Sequence, residues 1–231
     1  ETIHITPNEN GNCLHGGVGF SRKLWTVEQK EGELLFRYHS PDGEDGFPGA
    51  LDVSAAYRLE GDKLVMDYRA VSDRDTVVNL TNHAYFNLSG KGAVDTQRLS
   101  IRADRYTPVD GRLLPTGELR DVAGSRFDLR QARALGTDSF DHNFVLSGGE
   151  GPAAVLQSEE SGRRMTLSTD LPGLQLYTGD GLNDGVHPPR SGLCLEAQFF
   201  PDSPNQPAFP SCTLRAGEEY ARHITLQFSA E

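Results

Sequence analysis

The chain has 231 residues, 36% hydrophobic and 24% charged, enough for a real core in one large domain or two small ones. Its net charge of −11 carries no basic cluster, which argues against a nucleic-acid partner and against anionic membranes. No apolar run approaches the roughly 18 residues of a membrane helix. Three cysteines, Cys13, Cys194 and Cys212, stand far apart with no CxxC pair. Neither a disulfide framework nor a zinc site is expected, and a reducing, cytoplasmic setting fits best.

The first candidate for chemistry is "NCLHGGVGF" (12–20). There His15 precedes Gly16 and Gly17, which permit a positive-φ turn or a close approach of backbone to a ligand. Turn signals such as "SPDGEDGFPG", "EGDK", "SGGEGP" and "RAGEE" punctuate the rest of the chain. Between them lie strand-like segments: "GELLFRY" (32–38), "LDVSAAYRL" (51–59), "KLVMDYRAV" (63–71) and "TVVNLTNHAYFNL" (76–88). As a strand, the last puts Thr81, His83, Tyr85 and Asn87 on one face. His83 is then either a buried histidine within a polar network or an acid or base facing a pocket.

"DLRQARALG" (128–136) is the one segment that reads as a helix. Asp128 caps it, Leu129, Ala132 and Leu135 keep helical spacing, and Gly136 ends it. "SFDHNFVL" (139–146) sets Asp141 and His142 where a loop enters a strand, and "RRMTLSTD" (163–170) is a further strand. "GLQLYTG" (173–179), which contains Gln175, and "HITLQFSA" (223–230) complete the series. In "GLCLEAQFF" (192–200), alternation sets Cys194, Glu196 and Gln198 on one face and Leu193, Leu195, Ala197 and Phe199 on the other. If the polar face lines a pocket, the Glu196 carboxylate is costly unless it has a partner or a task.

Many short strands at this spacing predict one all-β sandwich or barrel. The sequence has no GxGxxG at a strand–helix junction, no GxxxxGK[ST], no HExxH and no GxSxG. His15, His83, His142 and His187 share no ligand-like short spacing, so neither a metal nor a cofactor is expected.

Taken in order, "LHGG", "TNHAYFNL", "DHNFVL", "GLQLYTG" and "LEAQFFPDSPNQP" resemble the galactose mutarotase, or aldose 1-epimerase, family from about Cys13 to the C terminus. The resemblance implies a large antiparallel β-sandwich in a single domain. It also implies an isomerase of hexose metabolism that interconverts the α and β anomers of a free aldose without a cofactor. Glu196 matches the family's general base and His83 its general acid. His15 matches a second active-site histidine, while Asp141 and Gln175 match residues that hold sugar hydroxyls. Family members carry a longer segment ahead of "LHGG", with several strands and a sugar-contacting arginine. Here 12 residues precede Cys13, so exposed strand edges are expected and that arginine is assigned to no residue.

Two other readings share the fold: a non-catalytic sugar-binding protein and an epimerase of sugar phosphates. Retention of both an acid and a base argues against the first. The lack of a Lys/Arg cluster near the motifs argues against the second. A small-molecule aldose is therefore the expected partner, with the oligomeric state left open. A free carboxylate near pKa 4.3 is weakly basic at neutral pH, and burial raises it toward use. An imidazole near 6.5 needs adjacent negative charge to remain an acid, so a bell-shaped pH–rate profile is predicted.

Overall fold

A computed structural model describes residues 2–230, which are almost entirely β. The chain opens with β1 (Thr26–Lys30), β2 (Glu33–Ser40), β3 (Leu51–Glu60), β4 (Lys63–Ser72) and β5 (Thr76–Val77). It continues with β6 (Tyr85–Phe86), β7 (Arg98–Ile101), β8 (Ala103–Thr107), β9 (Arg120–Asp121), β10 (Arg133–Ala134) and β11 (Asp141–Leu146). Last come β12 (Ala154–Gln157), β13 (Arg163–Thr169), β14 (Gly173–Tyr177), β15 (Leu193–Gln198), β16 (Thr213–Leu214) and β17 (Glu219–Ala230). Contacts divide the chain into two compact units. One comprises residues 2–60, 64–79 and 212–223; the other comprises 61–63, 80–211 and 224–230.

In the first unit the order β1-β2-β3-β4 follows the sequence, each strand antiparallel to the next where the register is resolved. β1 and β2 form a hairpin closed between Lys30 and Glu33, a two-residue turn that Gly32 permits by adopting φ 72°. All five residues of β1 are exposed, as are Leu24 and Leu59. β5 pairs with β16 through Val77 and Thr213.

The second unit contains two antiparallel arrays. In one, β17, β13, β12, β7 and β10 lie in that order. Pairing sets Leu99, Leu156 and Met165 in one cross-strand row and Ile101, Ala154, Leu167 and Leu226 in another, all buried. The other is a six-stranded sheet, β6-β15-β14-β11-β8-β9. One of its faces buries Leu174, Leu176, Leu193, Leu195, Ala197 and Phe144. Phe144 is fully buried, with its ring centroid 6.3 Å from that of Phe127 and 6.4 Å from that of Phe140. Truncating it by Phe144→Ala is expected to cost about 3–5 kcal/mol in denaturant unfolding. A loss below about 1 kcal/mol would show that this face closes over the gap.

Two sequence expectations are corrected. Residues 128–136 are not a helix. Asp128 Oδ1 accepts the Arg130 amide in a local turn, and the two side chains pair at 2.8–2.9 Å. Arg133 and Ala134 then form β10 against β7, while Leu129 and Leu135 are buried. Nine residues are marginal for a helix, and the backbone finds partners on residues 97–101 instead, as in the Leu135 amide bonding the Gln97 carbonyl. The expected strand 76–88 is likewise broken, with only Thr76–Val77 and Tyr85–Phe86 extended and paired. Asn82 Oδ1 accepts the Ala84 amide at 3.1 Å, a side-chain-to-backbone bond that competes with the ladder.

Candidate active site

Register assembles a polar cluster on the second face of the six-stranded sheet. Glu196 of β15 pairs with Gln175 of β14, and Cys194 pairs with Tyr177. Tyr177 in turn opposes Asp141 at the start of β11, and Tyr85 of β6 opposes Cys194. Directly opposed residues share a face, so Tyr85, Cys194, Glu196, Gln175, Tyr177 and Asp141 all project the same way. His83, two residues ahead of Tyr85, stacks its ring obliquely at 5.5 Å from the tyrosine ring. Gly173 lets this part of the sheet close up, because a Cβ there would strike the Asn143 side chain and the Phe200 ring.

Glu196 is 3% exposed, and all six residues of β15 are buried. Burial and then the neighbouring Asp141 charge raise its carboxyl from the ordinary 4.5 to about 8. Near neutral pH the carboxyl is therefore largely protonated, and it ionises readily just above. Its Oε1 lies 3.6 Å from His83 Nε2, while His83 Nδ1 lies 3.4 Å from Cys194 Sγ. Burial and the Glu196 charge hold the Cys194 thiol protonated, well above its usual range. Burial, followed by Cys194, pushes the Tyr85 hydroxyl up to about 12. His83 and Tyr85 are the exposed members of the group, with about 36% of the His83 side chain open to solvent.

Gln175 Nε2 donates to Asp141 Oδ1 at 2.7 Å, which fixes both side chains beside Glu196. Gln175 Oε1 and both amide atoms of Asn143 are buried without a hydrogen-bond partner among the described residues. Such atoms are costly unless something bonds them. His142, next to Asp141, pairs with Leu176 and belongs to the apolar face, where its ring packs against Phe127 at 4.8 Å. Burial, with the nearby Arg126 charge, lowers it to about 4, so it is neutral at physiological pH. His15 lies in the first unit, exposed, in the 3-10 turn Leu14–Gly16 with φ 52°.

Arg190, not singled out by sequence, ties down the loop between β14 and β15. It bonds Asp95 and Asp180 at 2.8 Å each and the carbonyls of Gly136 and Asp138. Burial opposes the Asp180 charge, but bonds from Thr178 and Arg190 keep its carboxyl below the usual range. Gly179 begins this loop at φ 72°, where a Cβ would collide with the Gly192 carbonyl. No local pattern announces Arg190, because its partners come from residues 95, 136, 138 and 180.

A family model for aldose 1-epimerases matches residues 1–227. Human galactose mutarotase is 43% identical over 245 residues, covering 98% of this chain and 72% of that protein. Aldose 1-epimerase of Escherichia coli (strain K12) is 38% identical over 257 residues, covering all of this chain and 74% of that protein. Among solved structures, a GalM/aldose epimerase homologue from C. elegans superposes with a TM-score of 0.94 at 29% identity, covering 99% of this chain and 75% of that one. Antiparallel β architecture, a buried acid facing a histidine, and these likenesses define the class. The chain belongs to the aldose 1-epimerase family.

Proposed function

We propose that this chain is an aldose 1-epimerase that interconverts the α and β anomers of free hexoses such as galactose and glucose, with Glu196 as base and His83 as acid. The observation that carries the reading is the 3.6 Å approach of the buried Glu196 carboxyl to His83 Nε2. Ring opening takes the proton from the O1 hydroxyl and delivers one to the ring oxygen O5. Both oxygens are bonded to C1, so a base and an acid a few ångströms apart reach both. Ionised Glu196 accepts the O1 proton, the C1–O5 bond breaks as C1=O1 forms, and His83 protonates O5. The open aldehyde turns about C1–C2, and reclosure returns both protons. No atom or electron is gained, so no cofactor is required.

Asp141 and Gln175 hold sugar hydroxyls in this reading. Their mutual hydrogen bond and the unpaired Gln175 Oε1 support that role. His15 is a second substrate-binding histidine, an assignment supported by its place in "LHGG". The match over residues 1–227 supports treating the chain as one family domain. A cytoplasmic setting accords with three free cysteines, two of them buried.

The decisive experiment is polarimetry on freshly dissolved α-D-galactose. The folded chain is expected to bring the rotation to equilibrium well ahead of the buffer rate. Failure to do so, with sugar binding intact, would make it a sugar-binding relative without turnover. Asp141→Asn is expected to raise KM about ten- to hundredfold through the lost charged hydrogen bond. Because the Asp141 charge helps raise Glu196, the same change should shift the acid limb of kcat/KM to lower pH. An unchanged KM would remove Asp141 from the binding site.

A further inference from the structure

We propose that His83, Cys194 and Glu196 also form a binding site for a zinc-class divalent cation, and that its occupancy shuts the active site off. One ring nitrogen of His83, Cys194 Sγ and a Glu196 carboxylate oxygen lie within 4.8 Å of one another. Zinc bonds of about 2.0–2.3 Å in a tetrahedron set neighbouring ligand atoms roughly 3–4 Å apart. With one ring nitrogen as ligand, a single edge is already in that range (Nδ1 to Sγ 3.4 Å, or Nε2 to Oε1 3.6 Å), and the remaining edges, within 4.8 Å, close by side-chain rotation. Cys194 and Glu196 stand two residues apart on one face of β15, and their donor atoms lie within 4.8 Å of each other. His83, about 36% exposed, opens the trio to solvent and gives the ion its way in.

The donor set selects the ion. A thiolate, an imidazole and a single carboxylate suit zinc, whereas calcium and magnesium call for six or more oxygens. Charge balance points the same way. The Cys194 thiolate and the Glu196 carboxylate together neutralise a divalent cation, so the ion and its ligands bring no net charge to the site. The Cys194 thiol and the Glu196 carboxyl each give a proton to solvent on binding, His83 coordinates as the neutral imidazole, and a water completes the tetrahedron. With the metal in place, the Glu196 lone pair and the His83 nitrogen are occupied. Neither can then exchange a proton with a sugar.

The binding half of the proposal stands on geometry alone; the inhibition half rests on the epimerase reading. Cobalt(II), a spectroscopic stand-in for zinc, is titrated into the folded chain. A thiolate-to-cobalt charge-transfer band in the near ultraviolet and intense tetrahedral bands in the visible are expected, both discharged by zinc. Cys194→Ser should lose the charge-transfer band although Cys13 and Cys212 remain. His83→Asn, altered at an exposed position, should weaken cobalt at least about tenfold, a loss that even outer-shell partners can cause. Mutarotation in zinc should fall more than about tenfold at saturation, recover on adding EDTA, and be opposed by galactose. Each variant's rate in EDTA serves as its own reference, and Cys194→Ser should resist zinc. A missing band, or a band that survives in Cys194→Ser, would overturn the site. Zinc binding with an unaltered rate would overturn the inhibition. A chain that binds cobalt as described but never speeds mutarotation would refute the epimerase reading and leave the metal site standing.

Discussion

Glu196→Gln is expected to lower the rate of anomer interconversion by about two to four orders of magnitude while stabilising the folded chain at alkaline pH. The amide keeps the shape of the carboxyl but accepts no proton from O1. Its effect on stability follows from linkage. In the folded wild type the Glu196 carboxyl holds its proton up to about 8, against 4.5 ordinarily. Between those values the folded state binds more protons than the unfolded one, so this group's contribution to stability falls as pH rises. At pH 9 the wild type carries a penalty of roughly 4 kcal/mol that the amide lacks. Below about pH 4.5 the two proteins converge. For a chain of this size the gap at pH 9 is worth roughly 10 °C in Tm. Ionisable groups away from Glu196 titrate alike in both proteins and cancel in the difference. Thermal unfolding at pH 5 and pH 9 tests this, and parallel Tm values across that range would mean Glu196 is not the group that burial holds protonated. Near-normal turnover would remove it as the base.

What the sequence discloses and what it conceals divide along the range of the interactions concerned. Residues 51–59 and 163–170 read as strands because alternation and flanking turns are local signals, and β3 and β13 lie within one residue of those bounds. The anomaly of Glu196 is local too: an acid in a run of apolar residues invites a functional explanation. Its elevated proton affinity is not local, since it needs β6 and β14 on either side of β15 and the Asp141 charge from β11. Residues 128–136 carry helical spacing, yet Leu129 and residues 133–136 bond to residues 95–101, which no window around Asp128 contains. His142 and Asp141 look equivalent in "DHNF". Only the register against Leu176 and Tyr177 sends one to the apolar face and the other to the polar cluster. The contact between His83 and Cys194 joins residues 111 apart in sequence, and that separation hid the metal-competent trio from any spacing rule.

His83→Asn is expected to lose about two to four orders of magnitude in rate with little change in stability, and to alter the form of the pH profile as well as its height. The side chain is about 36% exposed, so truncation leaves no large cavity. In the wild type, kcat/KM should climb with pH on the acid side of the profile, because only ionised Glu196 accepts the O1 proton and ionisation is the form gained on raising pH. It should decline again once the acid partner has lost its own proton. The two limbs belong to the pair, whose polar atoms lie 3.6 Å apart. In the proposed mechanism, removing His83 takes away the acid that protonates O5. The residual activity should therefore rise with pH and then level off, while Glu196→Gln should lose the rising limb instead. A bell that survives in His83→Asn would assign the acid's role to another residue, and a wild-type profile flat from pH 5 to 9 would discard acid–base catalysis by this pair.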